Sequence, residues 1–282
     1  MHTEASDPRL KFIKYIDIDE ARVLLEPRLL FICGGPVDVK SISNHSVRNM
    51  FMNSAGEELE DIEGFVLAEN YKDWSTGYHN LSEFENDIAY ISSLVVIFLE
   101  SEGALAEFGL FFANERLRPK LVAVVHDEFH RADSFIKFGL LDPMEKDDEE
   151  SVRVYSIDHR DINSVTKKEV KDILIDVTDH ASRKIKSEKF DRKNRGHYIF
   201  LIFQIVDLFA SLTKGEIVKF LDILQFSSLK KDIDSALYIL KKFNLIDIKR
   251  NLHNISIIFL ATDRKGSISI LKMAKNGMTI TL

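Results

Sequence analysis

Glu107 is the residue least suited to its surroundings, an acid flanked by Leu105, Ala106, Phe108, Leu110 and Phe111. A carboxylate in that company either partners a helix N-terminus or works in a cleft. Kept charged by a helix N-terminus, it has the chemistry of a nucleophile. Ser101, Glu102 and Gly103 form a polar turn just ahead of it. Gly34 and Gly35 close an earlier apolar run, and such a pair lets backbone approach a ligand closely. They belong to neither a G-x-G-x-x-G fingerprint nor a Walker loop, so no standard dinucleotide or triphosphate site is indicated. Cys33 is the single cysteine and lies inside an apolar run, which reads as a buried strand position. The nine histidines show no paired spacing, so we expect no metal site and no resident cofactor.

These residues need elements to position them. Residues 94–99 are apolar without alternation, the pattern of a strand buried on both faces. Residues 104–116 have helical spacing, which puts Glu107 in a first turn; Pro119 stops the helix and 121–125 is a second apolar strand. Strand, turn, helix and strand within about 30 residues is the unit of a parallel α/β sheet, and ligands bind such sheets beyond the carboxyl ends of the strands. Further strands are expected at 29–33, 64–68 and 152–157. Helices are expected at 18–25, 39–59 and 81–92, the last turning Phe84, Ile88 and Ile91 to the sheet. The loop 70–80 carries Tyr71, Trp74 and Tyr78, which either stack on a ligand ring or pin the loop.

The second half differs in charge and pattern. Residues 1–160 hold 16 basic and 31 acidic side chains, residues 161–282 hold 22 and 14. An acidic first part and a basic second part suggest separate domains, the second facing a polyanion. A helix at 161–185 is expected to link them. Seven basic residues crowd 183–195, and we take Lys184, Lys186, Lys189, Arg192, Lys193 and Arg195 as candidate phosphate or partner contacts. Helices at 198–212, from Thr213, and at 229–243 precede strands at 245–249 and 255–261, the order of a winged helix-turn-helix. Lys230 and Lys231 join the candidate contacts, but acids interrupt that third helix, which favours docking on a nucleoprotein over reading an operator. No signal peptide or spanning segment is visible, so a cytoplasmic location is expected, with no membrane contact.

Several motifs carry a family resemblance. They are FICGG (31–35), LSEFEN (81–86), VVIFLESEG (95–103), AEFG (106–109), ANERLRPKL (113–121) and SFIKFG (134–139). The turn and acid at 102–109 resemble nucleoside 2-deoxyribosyltransferases. The ordered set more closely resembles the effector proteins of retrons, in which a deoxyribosyltransferase-like domain precedes a winged-helix domain. The resemblance implies an α/β Rossmann-like parallel-sheet domain over 1–160, a helical basic linker over 161–195 and an α+β winged helix-turn-helix module over 196–282. It also implies Glu107 as the catalytic carboxylate, Glu85 as a substrate-contacting acid and Phe138 in a segment closing the pocket. Gly34, Gly35, Ser101, Glu102 and Gly103 would line that pocket, with Glu69 a further sugar contact.

Enzymes of this kind break the N-glycosidic bond of a ribose-type sugar through an oxocarbenium-like transition state, which a carboxylate can stabilise or trap. Where the deoxyribosyltransferases usually carry an aspartate, six residues before the nucleophile, this chain has Ser101. That departure suits a leaving group needing no protein acid, such as the cationic nicotinamide of NAD. The resemblance accordingly implies NAD hydrolysis as a toxic antiphage activity, with NAD as substrate. The implied partners are a reverse transcriptase and its multicopy single-stranded DNA/RNA hybrid, with a homo-oligomer or higher assembly among the expected states. A nucleoside or nucleotide deoxyribosyltransferase or N-glycosidase is one alternative. A winged-helix regulator with a silent ligand-sensing domain is another.

Overall fold

A computed structural model describes residues 7–24, 29–38, 45–59, 64–156, 160–183, 187–226, 230–262, 271–275 and 278–281. The chain forms two compact units that interleave along the sequence. One consists of Arg28–Asn70 and Ser92–Lys184. The other gathers Met1–Pro27, Tyr71–Ile91 and Ile185–Leu282. Consecutive blocks at 1–160, 161–195 and 196–282 were the expectation; compaction follows contacts instead.

The first unit is built on five parallel strands, β2 (Leu30–Cys33), β3 (Phe65–Val66), β4 (Leu94–Phe98), β5 (Leu121–His126) and β6 (Val152–Tyr155). Their order in space is β3-β2-β4-β5-β6, with Leu30 beside Leu94, Val95 beside Leu121 and Ala123 beside Val152. All five residues of β4 are buried, as a strand covered on both faces requires. Helices α2 (Val47–Glu58) and α7 (Lys167–Arg183) share one core with Ile32, Val96, Phe98 and Val122. Helix α4 (Glu102–Phe112) meets the alternate side chains, with Phe111 edge-on to Phe31 at 6.2 Å. Short helices α5 (Asp127–Arg131) and α6 (Asp142–Asp147) follow β5. The helix expected to link the two halves is thus a core element, because Val170, Ile173, Leu174 and Val177 form a buried stripe.

The second unit begins with α1 (Pro8–Phe12) and β1 (Arg22–Leu24). A helix was expected at 18–25; alternating exposure, with Val23 fully buried beside exposed Arg22, makes it a strand. β1 pairs antiparallel with β7 (Ser187–Lys189) and β11 (Leu271–Lys275), and β11 with β12 (Met278–Thr281). Part of the expected basic linker is therefore strand. Helix α3 (Leu81–Ile91) packs on α8 (Arg195–Phe209), where a Cβ on Gly196 would fall 2.5 Å from the Tyr90 carbonyl oxygen. Phe84 of α3, expected against the parallel sheet, lies among the rings of Tyr71, Tyr78 and Tyr238. After α8 come β8 (Ser211–Thr213), α9 (Lys214–Ile223), α10 (Lys230–Lys242), β9 (Ile246–Arg250) and β10 (Ser256–Leu260). The last sheet has the order β8-β10-β9. Thr213 and Glu216 make a capping box at α9, as their spacing predicts. Among the described residues no helix is long and apolar enough to cross a membrane.

Candidate active site

In sequence order the parallel strands occupy positions 2-1-3-4-5 across the sheet, so β2 and β4 flank the point where the winding reverses. Ligand crevices of open α/β sheets form at such switch points. Gly34 and Gly35 leave β2 there. A Cβ on Gly34, whose φ is +153°, would sit 2.9 Å from Phe98 Cβ and 3.0 Å from Arg48 Cδ. One on Gly35 would sit 2.7 Å from Ser46 Cβ. Both positions exclude a side chain, so the pair answers a close approach of the protein to itself.

Glu100, two residues past β4, lies against the second of these glycines, 3.0 Å from a Cβ on Gly35. Its Oε1 accepts from the backbone N–H of Gly35 (3.0 Å) and of Arg48 (3.1 Å), and its Oε2 from Val47 (2.7 Å). The carboxylate thus seals the start of α2, where unpaired N–H groups favour an anion. Burial nevertheless raises its carboxyl above the ordinary range, with the three N–H groups pulling the other way.

Arg48, in the first turn of α2, has a side chain only 3% exposed. Nη1 donates to the Gly35 carbonyl (3.1 Å) and to Glu69 Oε1 (2.5 Å). Nη2 donates to the Ile32 carbonyl (2.6 Å) and to Glu69 Oε2 (3.0 Å). Glu69 itself keeps 55% of its side chain exposed. Burial opposes its charge, but the hydrogen bonds and charge of Arg48 outweigh that and hold the carboxyl below its usual range.

Glu107 lies in α4, and the charges of this pair act on it. The helix begins at Glu102, so Glu107 lies in its second turn and not the first. Dipole stabilisation fades within the first turn, and here burial pushes the Glu107 carboxyl up. The charge of Arg48 and a hydrogen bond with the Cys33 thiol draw it back down, while Glu69 adds to the rise. The acid expected to be kept ionised by a helix end therefore depends on a side-chain cation instead.

The same unit holds Ser101, Glu102 and Gly103. Ser101 caps α4, its Oγ accepting from the Ala104 N–H at 3.2 Å; Glu102 is exposed, and Gly103 meets no crowding. Phe138 is 59% exposed on a π-helical turn, Lys137–Leu141. Glu85 is a buried residue of α3, in the other unit. Arg48 and Glu100 escaped the sequence reading. A signal existed for Arg48, an arginine on the same stripe as Phe51, Met52 and Ala55, all buried.

The basic candidates scatter. Arg195 is internal, bound through Nε and Nη2 to Asp87 (2.9–3.2 Å) and through Nη2 to Ser235 Oγ at 2.7 Å. Arg192 pairs with Asp19 at 2.9 Å and lies over the Phe226 ring; Lys189 stands 3.9 Å from Glu20. Lys193 is exposed. Lys184, Lys186 and the side chains of Lys230 and Lys231 lie outside the described residues. The loop aromatics pin the loop, Tyr71 stacking on Phe243 at 5.5 Å and the Tyr78 hydroxyl donating to Asp87 at 2.8 Å.

A family model described as "STM3845 retron effector protein" matches residues 44–248, which takes in β3 to β6 of the parallel sheet, with Arg48, Glu69, Glu100 and Glu107, and the C-terminal elements from α8 to the start of β9. The chain belongs to this retron effector family. Among curated proteins it is similar to the Escherichia coli "Retron Ec86 putative ribosyltransferase/DNA-binding protein", 30% identical over 125 residues, covering 44% of this chain and 39% of that one. The corresponding Escherichia coli Retron Ec73 protein is 30% identical over 117 residues, covering 40% and 36%. Each match thus spans less than two fifths of the relative's length.

Proposed function

We propose that this retron effector is an NAD glycohydrolase with Glu107 as nucleophile. What carries the reading is a half-buried carboxylate, at the switch point of a parallel sheet, beside a buried guanidinium. A Glu107 oxygen attacks the anomeric carbon of the nicotinamide riboside. The bond to the ring nitrogen breaks, its electron pair neutralising the pyridinium, so no protein acid is required. Water then displaces the carboxylate and releases its proton to solvent, leaving ADP-ribose. Gly34, Gly35, Ser101, Glu102 and Gly103 border the pocket in this reading, with Glu69 and Phe138 as further substrate contacts. The name ribosyltransferase given to the two relatives agrees with chemistry at an anomeric carbon.

We read the run from α8 to β10 as a winged helix-turn-helix module that docks the effector on a reverse transcriptase and its DNA/RNA hybrid in the cytoplasm. The helix–strand–helix–helix–strand–strand order and the β8-β10-β9 pairing support that reading. The cations of α10 favour docking over groove reading, since Lys242 pairs with Asp73 at 2.6 Å and Lys241 with Asp247 at 3.8 Å.

Incubating the protein, alone and with its retron partners, with NAD and with a panel of nucleosides and nucleotides tests the assignment. Nicotinamide release is expected, abolished in Glu107→Gln with the fold retained. Turnover of deoxynucleosides alone would make it a deoxyribosyltransferase. An active Glu107→Gln protein would remove Glu107 from the mechanism.

A further inference from the structure

The cations of the C-terminal elements fall into two sets. On α9 and α10, Lys214, Lys241 and Lys242 each face an acid: Asp234, Asp247 at 3.8 Å and Asp73 at 2.6 Å. The hairpin of β9 and β10 differs. Lys249 and Arg250 are exposed and pair with no carboxylate among the described residues; Lys249 Nζ lies 5.2 Å from the centre of the Phe259 ring instead. Residues 249–256 contain no acid at all, and exposed His253 stands among them. Across the ladder Lys249 is opposite Ile257 and Arg250 opposite Ser256. Successive residues of a strand point to opposite faces, so the two cations flank the hairpin on either side.

The tip between the strands is fixed by its own hydrogen bonds. Asn251 Oδ1 accepts from the backbone N–H groups of His253 and Ile255, each at 2.9 Å. The Asn251 N–H donates to the Ile255 carbonyl at 3.0 Å, and the Asn254 N–H to the Asn251 carbonyl at 2.9 Å. This closed loop lifts Leu252 clear of the protein, the most exposed large apolar side chain among the described residues. In that position Leu252 adds nothing to a core. A tip already ordered loses little entropy when it meets a partner.

We propose that this hairpin is the nucleic-acid contact of the C-terminal module: Leu252 packs on base and sugar edges in a duplex groove, and Lys249 and Arg250 neutralise the phosphates on either side. This rests on reading the run from α8 to β10 as a module docked on the retron's DNA/RNA hybrid. It gives the nucleic-acid side of that docking to the hairpin instead of the third helix. Charge complementarity decides the partner. A protein pocket would account for Leu252 alone, whereas a duplex groove also supplies anions to both faces of the hairpin.

The test measures binding of the full-length protein to fluorescein-labelled DNA/DNA and DNA/RNA duplexes of arbitrary sequence over a range of salt. The double variant Lys249→Gln/Arg250→Gln is expected to lower the slope of log K against log salt by about 2, since each lost phosphate contact removes about 0.9. Leu252→Ala is expected to weaken binding about tenfold with the slope unchanged. The duplex held more tightly by the parent identifies which strand pair the hairpin meets. All three side chains are exposed, so the variants are expected to keep the parent's thermal midpoint. A parental slope in the double variant, or parental affinity in Leu252→Ala, overturns the proposal and leaves the docking reading in place. So does a parent that binds neither duplex yet captures the reverse transcriptase stripped of nucleic acid. A parent that binds neither duplex and no reverse transcriptase removes both.

Discussion

Arg195 and Arg48 each bind a carboxylate through two nitrogens, and they do so under opposite conditions. Arg195 and Asp87 are closed in: Asp87 keeps 7% of its side chain exposed, and Tyr78 and Ser235 complete the set with hydrogen bonds. Burial and the Asp87 charge push the Tyr78 hydroxyl far above its usual range, so it stays a donor. Arg48 and Glu69 are closed on one side only, with a buried cation, a carboxylate 55% exposed and a second acid, Glu107, alongside. Saturated hydrogen bonding marks the first as a fastener joining α3, α8 and α10. Unequal exposure, an idle Nε–H and a perturbed neighbour mark the second as a place where charge is kept for use.

The comparison can be broken by mutation. Arg195→Met, which strands a buried Asp87, should cost about 3–5 kcal/mol in urea unfolding; a loss near zero would mean the fastener is dispensable. Glu69→Gln should cost less, about 1–3 kcal/mol, since solvent screens the half-exposed carboxylate and the amide oxygen still accepts one bond, although the buried Arg48 loses its second acceptor. Ser101→Ala should cost about 1 kcal/mol or less, as loss of an N-cap does, and a much larger change in KM for NAD would show Ser101 touching substrate. The smallest effect has the most informative sign. The Glu107 carboxyl is raised by folding, so its contribution to stability is lost as pH rises above the ordinary carboxylate range through the folded value. Glu107→Gln should therefore be more stable than the parent at neutral pH and gain little at pH 4. Equal stability at both pH values would argue against the strain on Glu107.

The strands of the parallel sheet were legible because both-face burial writes itself as unbroken apolar runs, as at Leu94–Phe98. The capping box at Thr213 was legible because it is local in sequence. Pairings across long separations were not: β1 joins β7 and β11 through two- and three-residue registers that leave no periodic trace. At the site, Glu107 stood out as a charge in apolar company. Arg48 and Glu100 did not, because their partners are backbone atoms and acids 13 to 65 positions away. The misjudged part was electrostatic. Placing Glu107 in a first turn credited a dipole whose reach ends one turn earlier.

The chain passes between its two units at four points, near residues 27, 70, 91 and 184. This interleaving imposes a timetable on synthesis. The sheet that bears Glu107 has all its residues once position 184 has left the ribosome. The excursion through Tyr71–Ile91 must wait, with Asp87 still lacking Arg195 and Phe84 still lacking Tyr238. A nascent or prematurely ended chain would therefore hold its acid-bearing half assembled while the apolar face of α3 stands uncovered, a state that chaperones and proteases are equipped to find.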